Sequence, residues 1–336
     1  MPPDPTRIRD LARLPKANLH LHLTGSMRPA TADALAARHG LPLLPPVDPD
    51  QPTPHGWEVF QDRYDAARAA LRTAEDLERV VTEAIDDNQA DGAGWVELQV
   101  DPTSYARHLG SLEAVIEAVL GALRDRPAGL IIAASWGAAG DHAERLAELA
   151  IRYAPEGVVG FGLSNDERLG RTADFVPAFR MIKDAGLLAT PHAGFYHDAW
   201  HVREAVTLLG ADRIGHGLTA VNDPALLDLL AERRVTLEVC PTSYPPFGVV
   251  TDLAAIPLDQ LRRSGVPVAL ATDDPLIFGV GLTGQYEIAR DHLGCTDATL
   301  ADLAQQSIEA STAPPHLKTT LTTTIPTWLK PPTCQN

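Results

Sequence analysis

The chain has 336 residues and a formal net charge of -16, with 45% hydrophobic and 5% aromatic side chains. That length can bury a large core, as one big α/β barrel or as two ordinary domains. The acidic balance argues against nucleic acid and anionic membranes as partners, while three scattered cysteines, Cys240, Cys295 and Cys334, exclude a disulfide framework and a Cys-rich zinc site.

The N-terminus, with Asp4, Arg7, Arg9 and Asp10, lacks the apolar run of a signal peptide, and no segment is long and charge-free enough to span a bilayer. A cytoplasmic protein is expected. The first strand runs from Ala17 to Leu23. Side chains two apart on a strand share a face, so His20 and His22 point one way and Leu19, Leu21 and Leu23 the other. Two imidazoles on one rigid strand can hold a Zn²⁺-type ion or can be hydrogen-bonded core histidines. Thr24-Gly25-Ser26 breaks the strand, and Pro29 opens a helix that ends near Gly40. Pro42 to Pro54 reads as a proline-rich loop, and residues 56–91 as two helices. Phe60, Tyr64 and Ala67 share a face of the first, and Leu77, Val80, Val81 and Ala84 a face of the second.

A regular pattern follows. Apolar or β-branched runs at 94–100, 129–134, 157–163, 186–191, 212–216, 234–240 and 266–273 alternate with amphipathic segments such as 112–124, 142–153, 174–185, 199–209 and 223–233. With the opening strand this makes eight strands alternating with helices. The pattern predicts a (β/α)8 TIM barrel with a helical insertion between strands 1 and 2, occupying residues 1–311 as a single domain. A doubly wound open sheet is the runner-up. No GxGxxG or GxxxxGK[ST] follows a strand, so dinucleotide and P-loop sites lack support. From Thr312 to Asn336 the chain is rich in threonine and proline and reads as a poorly ordered tail.

Active sites of such barrels lie at the carboxyl ends of the strands. Strand one ends with His20 and His22, strand five with Thr190-Pro191-His192, strand six with Gly215-His216-Gly217, and strand eight with Thr272-Asp273-Asp274. Five such groups at matching ends point to a metal-assisted site. At this point the chain resembles a known family. Pro15-Lys16-Ala17-Asn18-Leu19-His20-Leu21-His22-Leu23, Pro191-His192-Ala193-Gly194, Arg213-Ile214-Gly215-His216-Gly217, Leu237-Glu238-Val239-Cys240-Pro241-Thr242-Ser243 and Thr272-Asp273-Asp274-Pro275 resemble, in order, the motif series of the adenosine deaminase family of metal-dependent amidohydrolases.

The resemblance implies one Zn²⁺ ion held by His20, His22, His192 and Asp273, other divalent metals being possible. It implies His216 and Asp273 as catalytic groups, His216 orienting the attacking water, and Asp274 as a contact to the substrate ring. The implied partner is a small-molecule substrate, an aminopurine nucleoside or related heterocycle. An ion of this kind lowers the pKa of bound water from about 15.7 toward roughly 7. The other zinc-deaminase signature, H-x-E with P-C-x-x-C, is absent; His142-Ala143-Glu144 matches only its first half.

The chain also departs from the family. The motif His-Ala-Gly-Glu reads His192-Ala193-Gly194-Phe195 here, and that Glu protonates the ring nitrogen. Losing a general acid costs about 10²- to 10⁴-fold in rate. Asn165 stands where a glycine beside the ring is usual, Thr24 where an acidic residue is usual, and Tyr244 where an Asn is common. Phe195, Asn165, Thr24 and Asp274 are therefore the expected substrate-side residues. His197, Asp198, Glu167 and Glu238 are the nearby candidates to replace the acid, although Asp198 reads better as a helix cap and Glu238 as a group that orients a metal ligand. The sequence thus predicts a zinc-dependent deaminase with altered substrate or weakened activity. The alternatives are a metalloenzyme doing other C–N hydrolysis, cyclisation or elimination, and an inactive metal-binding relative.

Overall fold

The computed structural model describes residues 9–42 and 55–330. Eight parallel strands stand side by side in chain order: β1 (Lys16–His22), β2 (Ala93–Val100), β3 (Ala128–Ser135), β4 (Val158–Ser164), β5 (Leu188–Ala193), β6 (Arg213–His216), β7 (Thr236–Val239) and β8 (Val268–Leu270). The ring closes just beyond β8. There the His22 N–H donates to the Asp273 carbonyl at 3.1 Å and the Asp273 N–H to the His20 carbonyl at 2.9 Å. The predicted (β/α)8 barrel is therefore the fold, and the open-sheet alternative falls. Strand eight is shorter than its apolar run, because backbone pairing with β7 ends with the Ala271 N–H on the Val239 carbonyl at 2.9 Å. Asp273 lies past it, in a left-handed conformation with φ 59°.

Leu19, Leu21 and Leu23 are buried, as expected for the face of β1 that meets the helices. Three helices fill the gap between β1 and β2: α1 (Pro29–His39), α2 (Gly56–Arg68) and α3 (Ala74–Ala90). α1 begins with proline and ends at Gly40 in the left-handed region. α3 opens with a capping box: the Thr73 hydroxyl accepts from the Asp76 N–H and the Asp76 carboxylate accepts from the Thr73 N–H. Its Leu77, Val80, Val81, Ala84 and Ile85 are all buried, and each of the larger ones contributes about 1.5–3 kcal/mol. α2 instead lies across the mouth of the barrel. The proline-rich loop expected at 42–54 falls, after Pro42, outside the described residues.

The expectation of a poorly ordered tail does not hold for residues 315–329, which form a helix from Pro315 to Leu329. Threonine is a weak helix former, and the back-bonds from the hydroxyls of Thr319, Thr320, Thr322 and Thr323 to carbonyls four residues earlier do not strengthen the helix. Long-range contacts then fix the segment. Leu321 rests on the backbone of Gly94, Ile325 is buried, and Arg9 donates to the carbonyls of Trp328 and Leu329 at 3.1 and 2.8 Å.

Candidate active site

The strand ends bring His20, His22, His192, His216 and Asp273 to one point. His22 Nε2 lies 3.2 Å from His20 Nε2, 3.3 Å from His192 Nε2 and 3.3 Å from Asp273 Oδ1. His20 Nε2 is 3.6 Å from the same Asp273 oxygen. Ligand atoms about 2.0–2.1 Å from a tetrahedral ion stand about 3.3–3.4 Å from one another, so these four separations are close to those between ligand atoms of one small divalent cation. His216 Nε2 is 3.9 Å from Asp273 Oδ2, one step out from the set. Closeness of two rings also constrains the backbone. A Cβ on Gly215 would come within 2.9 Å of His20 Cε1 and 3.1 Å of His192 Cγ, so only glycine fits there.

Two of these histidines are oriented from behind. His20 Nδ1 donates to Glu238 Oε2 at 2.9 Å, which turns Nε2 toward the cluster. His192 Nδ1 does the same with the Leu163 carbonyl, 2.5 Å away. Glu238 is fully buried and accepts through Oε1 from Arg213 Nε at 2.7 Å and the Thr190 hydroxyl at 3.0 Å. Arg213 in turn pairs with Glu97, which also takes the Trp95 indole N–H and the Thr312 N–H and hydroxyl. A buried chain His20–Glu238–Arg213–Glu97 thus runs from the metal cluster down the barrel axis.

Electrostatics follow from this crowding. Burial disfavours the charged form of His20, but the Asp273 and Glu238 carboxylates outweigh it and lift its pKa to about 9. Burial holds His216 down at about 4 and, with the other imidazoles, pushes His192 well below the usual range. Burial works against the charge on Asp273, yet His20 and His22 keep its carboxyl well below the usual range. Asp274 goes the other way, raised by burial and by Asp273 beside it.

Above the cluster opens a cavity of about 910 Å³, its mouth included. Phe195, Asn165 and Asp274 all line it, with Asp273, His22, His192 and His216. Phe195 packs its ring 4.6 Å from His216 and 5.1 Å from Phe247, centroid to centroid. Asn165 sits exposed at the rim in the left-handed region, φ 73°, its Oδ1 accepting from the Asp166 N–H at 2.8 Å. Asp274 Oδ1 is buried with no partner. Thr24 is not on the lining. A 3-10 turn at Thr24–Ser26 carries its side chain away, fully buried, to a 2.7 Å hydrogen bond with the Tyr105 hydroxyl. Tyr244 is buried behind His216, and its hydroxyl accepts from the Cys240 N–H.

The candidate replacement acids are all occupied or elsewhere. Glu167 Oε1 accepts the N–H groups of Phe195, Tyr196 and His197 at 3.1, 2.6 and 2.5 Å, and Oε2 pairs with His201 Nδ1 at 3.2 Å. Burial alone would raise its pKa, but His201 and these amides hold it below the usual range. Glu238 stays ionised against Arg213 and His20 in the same way, despite burial. His197 stacks near Trp200 and His201, off the cavity lining, and Asp198 caps the helix Ala199–Thr207.

Several lining groups were not anticipated. Trp57, Phe60, Gln61, Tyr64 and Arg68 of α2 roof the cavity, with Phe60 stacked on Phe278 at 5.8 Å. Their spacing had the signature of a core-facing stripe. Gln99 near the end of β2, with Asp101, Ser104 and Tyr105 just beyond it, also lines the cavity. Gly25 is a second obligatory glycine, since a Cβ there would fall 1.8 Å from Asp274 Oδ1.

The sequence model of the adenosine deaminase family matches residues 15–328. The chain belongs to the adenosine deaminase family. A Streptomyces coelicolor protein named "Putative adenosine/adenine deaminase" is 48% identical over 96% of this chain and 99% of its own length. A second protein of that organism, an aminodeoxyfutalosine deaminase, is 38% identical over 92% of this chain and 84% of its own. The crystal structure of an amidohydrolase from Burkholderia ambifaria with bound Zn superposes with a TM-score of 0.82 at 27% identity, covering 98% of this chain and 96% of that one. This adenosine deaminase-family chain is accordingly a hydrolytic enzyme on an amidohydrolase barrel.

Proposed function

We propose that this enzyme hydrolytically deaminates an aminopurine nucleoside or a related heterocycle, using one zinc ion held by His20, His22, His192 and Asp273. The observation that carries the reading is the convergence of three Nε2 atoms and Asp273 Oδ1 at 3.2–3.6 Å on the floor of the cavity. When bound, a divalent ion supplies a water activated at neutral pH. His216, kept neutral by burial, orients that water and meets charge developing on it. Asp274, with its buried Oδ1 unpartnered, faces the ring of the substrate. Phe195 excludes water from the opposite side and brings no proton.

In this reading the missing acid slows adenosine turnover by about 10²- to 10⁴-fold relative to an enzyme that has one. The test has two parts. Zinc content and ammonia release are measured on adenosine, deoxyadenosine, adenine and other aminated analogues. Phe195→Glu is then assayed beside the parent, and adenosine deamination is expected to rise at least tenfold. Zinc binding without ammonia from any analogue, in parent and variant alike, would defeat the proposal.

One observation favours a second reading. Glu167 and Glu238 are ionised and held by other donors, and His197 is not on the cavity lining. A different reaction at a C–N bond, one that needs no protonated ring nitrogen, suits that apolar face.

A further inference from the structure

The consecutive N–H groups of Phe195, Tyr196 and His197 close on a single oxygen, Glu167 Oε1. Glu167 comes from another loop, the 3-10 turn Glu167–Leu169 after β4, and is 2% exposed. A row of successive backbone N–H groups makes an anion-binding concavity, and here the anion is a side chain of the same protein. A buried carboxylate also needs a donor at its second oxygen. That donor is His201 Nδ1, 3.2 Å from Oε2. The contact does not require a charged ring, because the N–H at Nδ1 exists in one neutral tautomer as well as in the imidazolium.

His201 is itself held in place. It is 2% exposed, with its ring 4.8 Å from Trp136 and 5.0 Å from His197, centroid to centroid. Trp136 is fully buried, and its indole N–H donates to the His192 carbonyl at 3.1 Å. His201 therefore stands between two grips on the connection from β5 to the helix Ala199–Thr207. Trp136 holds the chain before Gly194, which turns in the left-handed region with φ 69°, and Glu167 holds it after. Neither His201 nor Trp136 lines the cavity, whereas Phe195 and Tyr196 do. A side chain that only filled this space would need no nitrogen aimed at Glu167.

We infer that His201 is a positioning residue: acting through Glu167 from behind the loop, it holds Phe195 and Tyr196 where they face His216 and the cavity. Without its N–H, Glu167 Oε2 is buried and unserved. The carboxylate then takes up a proton or swings outward. Either change weakens its hold on the loop, since hydrogen bonds to an ionised acceptor are about twice as strong as those to a neutral one. The consequence for turnover rests on the proposed function above; the hold on the loop does not.

The test compares His201→Phe, which keeps an aromatic ring and loses the donor, with His201→Asn, whose amide nitrogen lies as many bonds from the backbone as Nδ1 does. His201→Leu takes the place of His201→Phe if that variant does not fold. Amide hydrogen exchange is followed by mass spectrometry on the zinc-loaded full-length proteins. In His201→Phe, exchange of the 195–197 amides should rise about tenfold while the β1–β4 amides change less than about threefold, the mark of local opening. His201→Asn should stay within about threefold of the parent throughout. The ring carbon–proton resonances of His216, identified by their loss in His216→Gln, should move in His201→Phe and not in His201→Asn, because the Phe195 ring lies 4.6 Å away. On adenosine or deoxyadenosine, kcat should fall about tenfold in His201→Phe with KM changed less than about threefold, and recover in His201→Asn. Parent-like exchange in His201→Phe, equal effects of the two variants, a uniform rise across the barrel, or an unchanged kcat in His201→Phe overturns the inference. A parent that releases no ammonia from either nucleoside counts against the proposed function, and exchange and resonances then decide the role of His201.

Discussion

Replacing Glu238 with glutamine separates the role of that carboxylate toward the metal from its role in stability. Oε1 holds Arg213 Nε and the Thr190 hydroxyl, and Oε2 holds His20 Nδ1. The amide has one oxygen. Turned toward Arg213, it keeps the buried cation served, and its NH₂ then faces His20. His20 must answer by accepting at Nδ1, which moves its proton to Nε2, the atom that would bind the metal. The opposite orientation would set an N–H against a buried guanidinium, at about 3–5 kcal/mol for a broken buried pair, so the first arrangement prevails. Metal-free stability should therefore fall only by about 1.5–3 kcal/mol, the loss of charge from one set of charge-assisted bonds. Zinc binding must reverse the tautomer and should weaken about 10- to 100-fold, or about 1.4–2.7 kcal/mol. Competition against a chromophoric chelator measures the affinity, and urea titration of the metal-free protein the stability. Glu97→Gln is the control, since Glu97 sits on the far side of Arg213 and does not touch His20. It should cost stability while leaving zinc affinity within about threefold, a window well inside the range expected for an outer partner of a ligand. Equal losses of zinc affinity in the two variants would refute the reasoning.

Three further outcomes are expected. Gly25→Ala drives a methyl into the space of Asp274 Oδ1, so kcat/KM should fall about 100-fold while zinc content holds; unchanged kinetics would remove Asp274 from the site. Glu167→Gln can keep its oxygen toward the three N–H groups of 195–197, whereas Glu167→Ala cannot, so the alanine variant should be less stable than the glutamine variant by about 2–3 kcal/mol in denaturant titration. Lys16 is buried and its ammonium donates to the Leu11 and Leu14 carbonyls, and burial lowers its pKa from 10.5 to about 8. The unfolded chain then binds more protons between those two values, so the parent should gain stability relative to Lys16→Met as pH rises from about 8 toward 10.5. A flat difference across that range would contradict the assignment.

The convergence of the strand-end cluster was legible in the sequence because it depends on strand periodicity. Two histidines two apart on β1 must share a face, and parallel strands in chain order must place His192, His216 and Asp273 at the same rim. The substrate side was not legible, for reasons that differ by residue. Trp57, Phe60 and Tyr64 have the spacing of a core stripe, and a helix laid across a barrel mouth presents the same stripe to a cavity. Thr24 follows the strand by two residues, but the intervening turn rotates it out of the site. Gln99 lies within an ordinary apolar-looking strand, and only the absence of a partner at both ends of its amide marks it. The tail misled because helix propensity omits what Arg9 and Gly94 do to it from more than two hundred residues away.

Phe195 is the point at which these two halves meet. Its ring continues an aromatic row from Phe278 through Phe60 and Phe247 to His216, with successive centroids 5.8, 5.0, 5.1 and 4.6 Å apart. The row ties the roof helix α2 to the catalytic floor, so the residue is held by packing on several sides. A carboxylate in its place would sit against Phe247 and Tyr244, where burial raises a carboxyl's pKa and keeps it protonated. That is the state a general acid needs. The same packing that makes the apolar face stable would thus favour the acid form of an introduced glutamate, and the backbone that would carry it is already fixed by Glu167 through three N–H bonds. Placing an acid at position 195 therefore requires a change of side chain and no change of loop, which is why gain of activity in Phe195→Glu is a fair demand on the proposed function.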